Sequence, residues 1–366
     1  MSTPLLIQTL RNPTHALAYS IEQWELLIRQ ARSANLLPRL YCIFNNASLL
    51  AQLPEDVVNH LESGYKKAQR QHQQVIWEIH QIQKAFTNTE ITPILLKGGA
   101  YIHSGVTCAQ GRTLSDIDIL VRKADLKKAE MLLMIGGWIT TKSDDYDKMY
   151  YREWTHEIPP IRHIKRGTVI DVHHNIFPIL NFRVDAEKLW KNALIGQDGI
   201  GVLSLEDMIL HSATHLFLEG NFENGLRDLT DLDLLFKMLD SQQQGFEKLK
   251  LRAFELGLGL PLFYALRYCQ RQLNSMVPSE LIHPNDVGIP SAIRLKLMDI
   301  LFSNVLIPFH ATSKSPLHGI AVFFLYWRGH FNRMPLKILI PHLIKKSLKS
   351  LTQRKESKEL TQKPQQ

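Results

Sequence analysis

The chain has 366 residues, of which 45% are hydrophobic and 21% are charged, and it carries a formal net charge of +8. A chain of this length and composition can bury a large core, which excludes wholesale disorder and allows one large domain or two to three smaller ones. The three cysteines, Cys42, Cys108 and Cys269, are far apart and include no Cys-x-x-Cys pair. The sequence therefore supports neither a disulfide framework nor a thiolate zinc site.

Much of the positive charge lies in the last 22 residues, which contain seven lysines and arginines against two glutamates. We expect residues 346–366 to form a solvated, disordered tail, with contact to an anionic surface such as RNA or a membrane as the alternative. The N-terminal residues lack the basic and apolar stretches of a secretory signal. The longest apolar run, Gly319–Trp327, has half the length of about 18 residues that a spanning helix requires. The sequence predicts a cytoplasmic protein without a transmembrane segment.

Residues 1–90 are predicted to form a helical N-terminal region. Ile21, Trp24 and Leu27 recur at the spacing of one helix face, and the long polar stretch over residues 62–86 keeps apolar residues at the same spacing. These helices carry no recognisable chemistry, and we interpret them as packing elements.

The pattern changes at residue 91, where an α/β core over residues 91–200 is predicted. A short apolar run ends in Lys97-Gly98-Gly99, which is typical of a buried strand that turns into a helix. Polar and apolar residues then alternate over Ser115–Val121, which predicts a strand with Asp116 and Asp118 on one face.

Further elements complete this core. A helix is predicted over residues 124–135 and strands over residues 149–154 and 168–173. The pattern is helical again over residues 201–345, beginning at Ser204, which suits an N-cap. The sequence thus predicts an α+β fold, in which a small mixed β-sheet core is flanked by helical N-terminal and C-terminal regions.

Three aspartates carry the most recognisable chemistry. Divalent cations that neutralise a triphosphate need closely spaced carboxylates. Residues i and i+2 of a strand lie about 6.5–7 Å apart on one face, so Asp116 and Asp118 can reach one pair of metals. Asp171, on another strand, is the candidate for a third carboxylate. Taken alone, Asp-x-Asp also fits a solvated edge strand, but the glycine turn upstream favours the functional interpretation.

Five residues are candidates for contacts to a triphosphate. Gly98 and Gly99 would let backbone N–H groups approach phosphate oxygens at a helix N-terminus, although an ordinary tight turn is the alternative. Lys97 would add a positive charge. Arg112 would bind phosphate or hold the acidic strand in place, and Ser115 would contact phosphate or cap the start of the strand.

Four further residues are candidates for contacts that hold the site residues in place: His173, His215, Asp228 and Asp231. His211 and His215 share a helix face, but the glutamate of a zinc-binding His-Glu-x-x-His motif is replaced by Ser212, so a hydrogen-bonding role is favoured. Arg227 and Asp231 have the spacing of an ion pair on a solvated face, and a wall of the nucleotide or acceptor pocket is the alternative.

This combination resembles the polymerase-β-like nucleotidyltransferase superfamily, whose pattern is a glycine turn, an Asp-x-Asp strand and a later acidic strand. More narrowly, it resembles an uncharacterised bacterial nucleotidyltransferase-like family typified by LKG…R…DIDLLV. The matching residues here are Leu96-Lys97-Gly98, Arg112, Asp116–Val121, Gly136-Gly137-Trp138 and Ile170–His174. The resemblance spans roughly residues 20–240.

The resemblance implies an enzyme that transfers NMP from an NTP to a hydroxyl-bearing acceptor. Asp116 and Asp118 would bind two Mg²⁺ ions, and Asp171 would share the catalytic metal and help to deprotonate the acceptor hydroxyl. The Lys97-Gly98-Gly99 turn would hold the triphosphate, and catalysis would be chiefly positioning and electrostatics. The acceptor is open among a small molecule, a polysaccharide precursor, a protein and tRNA, and its specificity is expected in the helical regions.

Two other functions are kept as alternatives. The 16 residues between Gly99 and Asp116 exceed the usual gap of the superfamily, which favours a catalytically silent nucleotide-binding or scaffold protein. The same turn and Asp-x-Asp also mark abortive-infection toxins, which favours a toxin-like nucleotidyltransferase acting on tRNA.

Overall fold

The computed structural model describes residues 3–140, 155–178, 184–278, 281, 289–333 and 337. The strand predicted over residues 149–154 and the tail predicted over residues 346–366 lie outside these ranges. Among the helices within them, none combines the length and the apolar character that crossing a bilayer requires.

The chain begins with helices, as predicted. They are α1 (Leu5–Arg11), α2 (Ile21–Ser33), α3 (Leu37–Asn46) and α4 (Glu55–Phe86). Helix α2 begins at a capping box, in which the Ser20 hydroxyl accepts from the Gln23 amide and the Gln23 side chain accepts from the Ser20 amide. Helix α4 is 32 residues long and buries one apolar stripe that ends at Phe86.

A seven-stranded mixed sheet follows, which confirms the predicted class. Its strands are β1 (Ile94–Leu95), β2 (Ile117–Leu120), β3 (Trp138–Thr140), β4 (Ile161–His163), β5 (Val169–His173), β6 (Leu194–Ile195) and β7 (Gly201–Val202). The order across the sheet is β3-β4-β5-β2-β1-β7-β6. Strand β2 pairs in parallel with β5 and antiparallel with β1, and all four of its residues are buried. Strand β7 extends the sheet to Val202, two residues beyond the predicted end of the core.

Helices connect and flank the strands. Between strands lie α5 (Lys97–Ser104), α6 (Leu126–Ile135) and α7 (Ala186–Asn192). The C-terminal region comprises α8 (Leu205–Leu218), α9 (Gly225–Asp240), α10 (Gly245–Glu255), α11 (Gly259–Leu273), α12 (Ala292–Val305) and α13 (His318–Arg333). Ser204 is the N-cap of helix α8. Its hydroxyl accepts from the Asp207 amide at 3.3 Å, so the predicted N-cap is confirmed. Helix α11 lies in the region that was predicted to be helical, whereas strands β3, β4, β6 and β7 were not predicted.

The register of β2 and β5 sets the geometry of the polar residues in the sheet. Asp118 lies opposite Asp171, and Leu120 lies opposite His173. Because side chains two residues apart on a strand share a face, Asp118, Asp171 and His173 lie on the same face of the two central strands.

The N-terminal helices are fixed to this core at Gly111. This residue has a φ of +65°, and a Cβ added there would lie 2.6 Å from backbone atoms of Pro38 and Arg39 in α3. The guanidinium of Arg39 donates to the Cys108 carbonyl and forms an ion pair of 2.7 Å with Asp231 of α9. Helix α3 is therefore joined both to the segment before β2 and to the C-terminal region.

Replacement of Gly111 by alanine should weaken this junction. We expect Gly111→Ala to lower the free energy of unfolding by about 2–4 kcal/mol, because a side chain at positive φ costs roughly 1 kcal/mol and the steric conflict adds about 1–3 kcal/mol. Gly105→Ala is the matched control, since Gly105 has a φ of +63° but nothing within 4 Å of an added Cβ. It should show the conformational cost alone. Equal losses for the two variants in urea denaturation would contradict the close approach of α3.

Candidate active site

Asp118 is the most strongly held acidic residue of the central strands. The Lys97 ammonium lies 3.1 Å from its Oδ1 atom, and His173 Nε2 lies 2.9 Å from the same oxygen. Burial by itself raises the pKa of Asp118, but the Lys97 charge and the His173 hydrogen bond outweigh burial and hold the pKa well below its usual value. Asp118 is therefore ionised although it is buried.

Lys97 reaches Asp118 from the turn between β1 and α5. Its φ is +44°, which is uncommon for a residue with a Cβ atom. Burial lowers the pKa of Lys97, but Asp118 and Glu219 overcome that effect and raise it above its usual value. The strained turn thus presents a permanent positive charge beside the acidic strands.

Asp171 has the opposite environment. Burial first, and then the charges of Asp118 and Glu157, raise its pKa to about 7. Its Oδ1 atom is buried and has no hydrogen-bond partner among the described residues. An oxygen of this kind is short of a positive partner, and a bound cation would supply one.

Asp116 and Ser115 lie at the entrance to β2. The Ser115 hydroxyl donates to Asp116 Oδ2 at 3.1 Å. The charge of Asp116 also contributes to the raised pKa of Asp171, which brings all three predicted aspartates into one electrostatic group. Ser115 is exposed, so its hydroxyl is also accessible to a ligand.

The two glycines and Arg112 pack closely at the start of α5. A Cβ on Gly98 would lie 2.6 Å from Arg112 Nη1, and a Cβ on Gly99 would lie 3.4 Å from Ile117 Cγ2. Gly98 therefore makes room for the guanidinium, and Gly99 lets α5 approach β2. Arg112 is buried and donates from Nε to Asp231 Oδ2 at 2.6 Å, so its contacts favour the role of holding the acidic strand over direct phosphate binding.

Helix α9 supplies the carboxylates for this network. Asp231 is 1% exposed and is paired with Arg39 and Arg112. The interpretation of Asp231 as part of a solvated face is therefore wrong, because the arginines of two other segments bury it. Arg227 pairs with its neighbour Asp228 at 2.9 Å instead of forming the expected pair with Asp231.

Glu219 is a further acidic residue of the site, and it was not among the predicted site residues. Glu219 lies 3.2 Å from His215 Nε2 and 3.1 Å from Arg333 Nη2. Burial raises the pKa of Glu219, but His215, Arg333 and Lys97 outweigh burial and lower it to about 2. The i, i+4 spacing of His215 and Glu219 is a sequence signal that could have identified this glutamate.

His156 and Glu157 were also missed, and no local pattern marks them. Glu157 forms an isolated antiparallel bridge with His173. One atom each of His156, Glu157 and His173 lies within 4.8 Å of the others, which makes them a candidate group of metal ligands among the described residues.

The raised pKa of Asp171 makes the stability of the cation-free protein pH-dependent. A carboxyl group with a higher pKa in the folded state favours folding below its unfolded pKa, and it loses that contribution as the pH rises through its folded pKa. For a rise of the pKa from 3.8 to about 7, the largest loss in the free energy of unfolding is about 4 kcal/mol. We expect about half of this loss because Asp171 is partly exposed.

Asp171→Asn should therefore be more stable than the wild type at pH 8 in the absence of divalent cations, and the difference should vanish near pH 4. Urea denaturation at pH 8 and pH 4 measures the free energy of unfolding. The control is Asp240→Asn, at an exposed residue, which should leave the free energy of unfolding unchanged at both pH values. Equal stability of Asp171→Asn and the wild type at pH 8 would show that the carboxylates do not repel one another.

The comparisons with known proteins identify the family of the chain. The model of a family described as an uncharacterised nucleotidyltransferase matches residues 20–274, which is more than half of the chain and contains every site residue above except Arg333. Comparison with curated proteins and with solved structures gives no match. The chain belongs to this family of nucleotidyltransferases.

Proposed function

We propose that the protein is a Mg²⁺-dependent nucleotidyltransferase that moves NMP from an NTP to a negatively charged, hydroxyl-bearing acceptor. The observation that carries the proposal is the pairing of Asp118 with Asp171 on adjacent parallel strands, with Asp116 just before the first. Neighbouring strands lie about 4.8 Å apart. Three carboxylates from two neighbouring strands suit a pair of ions about 3.5–4 Å apart.

The donor set suits Mg²⁺, which prefers carboxylate oxygens. Asp116, the partnerless oxygen of Asp171 and the second oxygen of Asp118 would hold it. When bound, Mg²⁺ neutralises the triphosphate and supports in-line displacement at the α-phosphate. Lys97 would add a fixed charge for a phosphate group, and His173 holds the orientation of Asp118 through Nε2.

Asp171 is suited to accept the proton of the acceptor hydroxyl. Its pKa of about 7 belongs to the cation-free site, where burial and the neighbouring carboxylates favour the protonated form. A bound cation would lower this pKa, so Asp171 would be ionised and could accept a proton on the oxygen that does not hold the cation. The remaining contribution of the protein is to hold both substrates in place, which is the main source of catalysis in phosphoryl transfer.

A cleft of about 830 Å³ beside Ser115 gives the acceptor a chemical class. It is lined by residues of α2, α3, α4, the segment before β2 and the start of α9. Its basic side chains are Arg32, His60, Lys67, Arg70 and Arg227, and none of the described residues that line it is acidic. A concave surface with charges of one sign attracts a ligand of the opposite sign, so the cleft favours a phosphorylated small molecule or a nucleic-acid segment as acceptor.

Nucleotidyl transfer is tested with α-labelled NTPs, Mg²⁺ and a deproteinised extract of cellular metabolites and RNA as the source of acceptor. The wild type should release pyrophosphate and label an acceptor, and Asp118→Asn and Asp171→Asn should lower the rate by about 100-fold or more, because each removes a charge that holds the cation. Asp240→Asn is the matched control and should retain the rate.

Two outcomes would contradict the proposal. Equal labelling by the wild type and the two aspartate variants would show that the carboxylates do not act in transfer. Thermal stabilisation by NTP and Mg²⁺ without pyrophosphate release would instead support a catalytically silent nucleotide-binding protein.

The basic cleft is tested by reversing its charge. Lys67→Glu/Arg70→Glu should raise the half-saturating concentration of the acceptor about tenfold or more at low salt, because the repulsion acts on the acceptor before the chemical step. The half-saturating concentration of the NTP should not change. The control is Lys66→Glu/Lys84→Glu, which makes the same charge change on α4 outside the cleft lining. Equal effects of the two double variants would contradict an acceptor site in the cleft.

A further inference from the structure

His156, Glu157 and His173 form a second polar cluster that the nucleotidyl-transfer proposal does not use for metal binding. One ring nitrogen of each histidine and one carboxylate oxygen of Glu157 lie within 4.8 Å of one another. We propose that this trio binds a divalent transition metal of the Zn²⁺ class, at a site separate from the Mg²⁺ held by the aspartates.

Two members of the trio already have the spacing of ligands around one ion. His173 Nδ1 lies 3.5 Å from Glu157 Oε2. With bonds of about 2.0–2.1 Å, two ligands of a tetrahedral zinc ion are separated by roughly 3.3 Å. The isolated bridge between Glu157 and His173 fixes this pair, and the hydrogen bond of 2.8 Å from the His174 amide to the His156 carbonyl holds the third ligand beside the same strand.

The Nδ1 atoms of both histidines are buried without a hydrogen bond. His156 is 8% exposed and His173 is 2% exposed, and His173 Nδ1 has only the Glu157 carboxylate nearby, at 3.5 Å. A buried polar atom without a partner costs about 1–3 kcal/mol, so such atoms are rare in folded proteins. A cation that accepts electron pairs from the imidazoles removes this cost.

Asp118 prepares His173 for this role. His173 Nε2 lies 2.9 Å from Asp118 Oδ1, so this nitrogen would keep its proton when a metal displaces the proton of Nδ1, the atom that faces Glu157. A carboxylate that orients a histidine in this way is the usual outer partner of a metal-bound imidazole. Asp118 would therefore touch both sites, directly on the Mg²⁺ side and through His173 on the other.

The donor set selects the class of metal. Two imidazoles and one carboxylate are the ligands of zinc sites with an open fourth position, whereas Mg²⁺ prefers oxygen ligands alone. The metal would fix the ring of His173 and thereby the carboxylate that His173 holds.

The experiment uses the full chain, freed of metal by a chelator and titrated with Co²⁺, whose visible absorption reports nitrogen and oxygen ligation. We expect one Co²⁺ per chain, displaced by Zn²⁺ but not by millimolar Mg²⁺. His156→Ala and Glu157→Gln should each weaken Co²⁺ binding by about 100-fold or more, and Asp118→Asn, which removes an outer partner, by about 10–100-fold. Asp116→Asn is the control and should keep the Co²⁺ affinity.

Absence of the Co²⁺ bands in the wild type would overturn the proposal. Unchanged Co²⁺ affinity in His156→Ala and Glu157→Gln would also overturn it, if circular dichroism shows that the variants are folded. If one of the two variants does not fold, the Co²⁺ affinity of the other decides. Co²⁺ binding is measured without NTP, so it tests the metal site independently of nucleotidyl transfer. A protein that binds Co²⁺ but transfers no nucleotide would contradict only the proposed function, and an active protein that binds no Co²⁺ would contradict only this proposal.

Discussion

The site depends on the compensation of one buried carboxylate. Asp118 lies on the central strand β2, and an unpaired carboxylate in that place would cost several kcal/mol. Lys97 and His173 both bind its Oδ1 atom, and they come from the turn after β1 and from the end of β5. The compensation exists only when three strands are paired in register, so the folding of the sheet and the assembly of the site are one process.

Asp171 lacks the compensation that Asp118 has. Lys97 and His173 both contact Asp118, whereas Asp171 lies near the negative charges of Asp118 and Glu157 and has one oxygen without a hydrogen bond among the described residues. A sheet optimised for stability would carry an apolar residue there. A bound cation, as proposed above, would neutralise this unfavourable charge, which is typical of functional sites that depart from the most stable arrangement.

Sequence patterns predicted the elements whose causes are local. Strands β2 and β5 and the cap at Ser204 depend on neighbours within a few residues, and all three are present. The bridge that brings Glu157 to His173 and the pairing of Arg39 with Asp231 join distant segments and leave no periodic signal. The expected Arg227–Asp231 pair shows the limit of local spacing, since Asp231 is instead surrounded by arginines of other segments.

The helical regions are held to the site by a continuous polar network. Asp231 of α9 binds Arg39 of α3 at 2.7 Å and Arg112 at 2.6 Å, and Arg112 lies against Gly98 in the turn that carries Lys97. The basic cleft beside α3 and α4 is thereby held at a fixed distance from the acidic strands. Nucleotidyl transfer depends chiefly on the positioning of the substrates, so these buried arginines would contribute to the proposed activity by holding the parts of the site together.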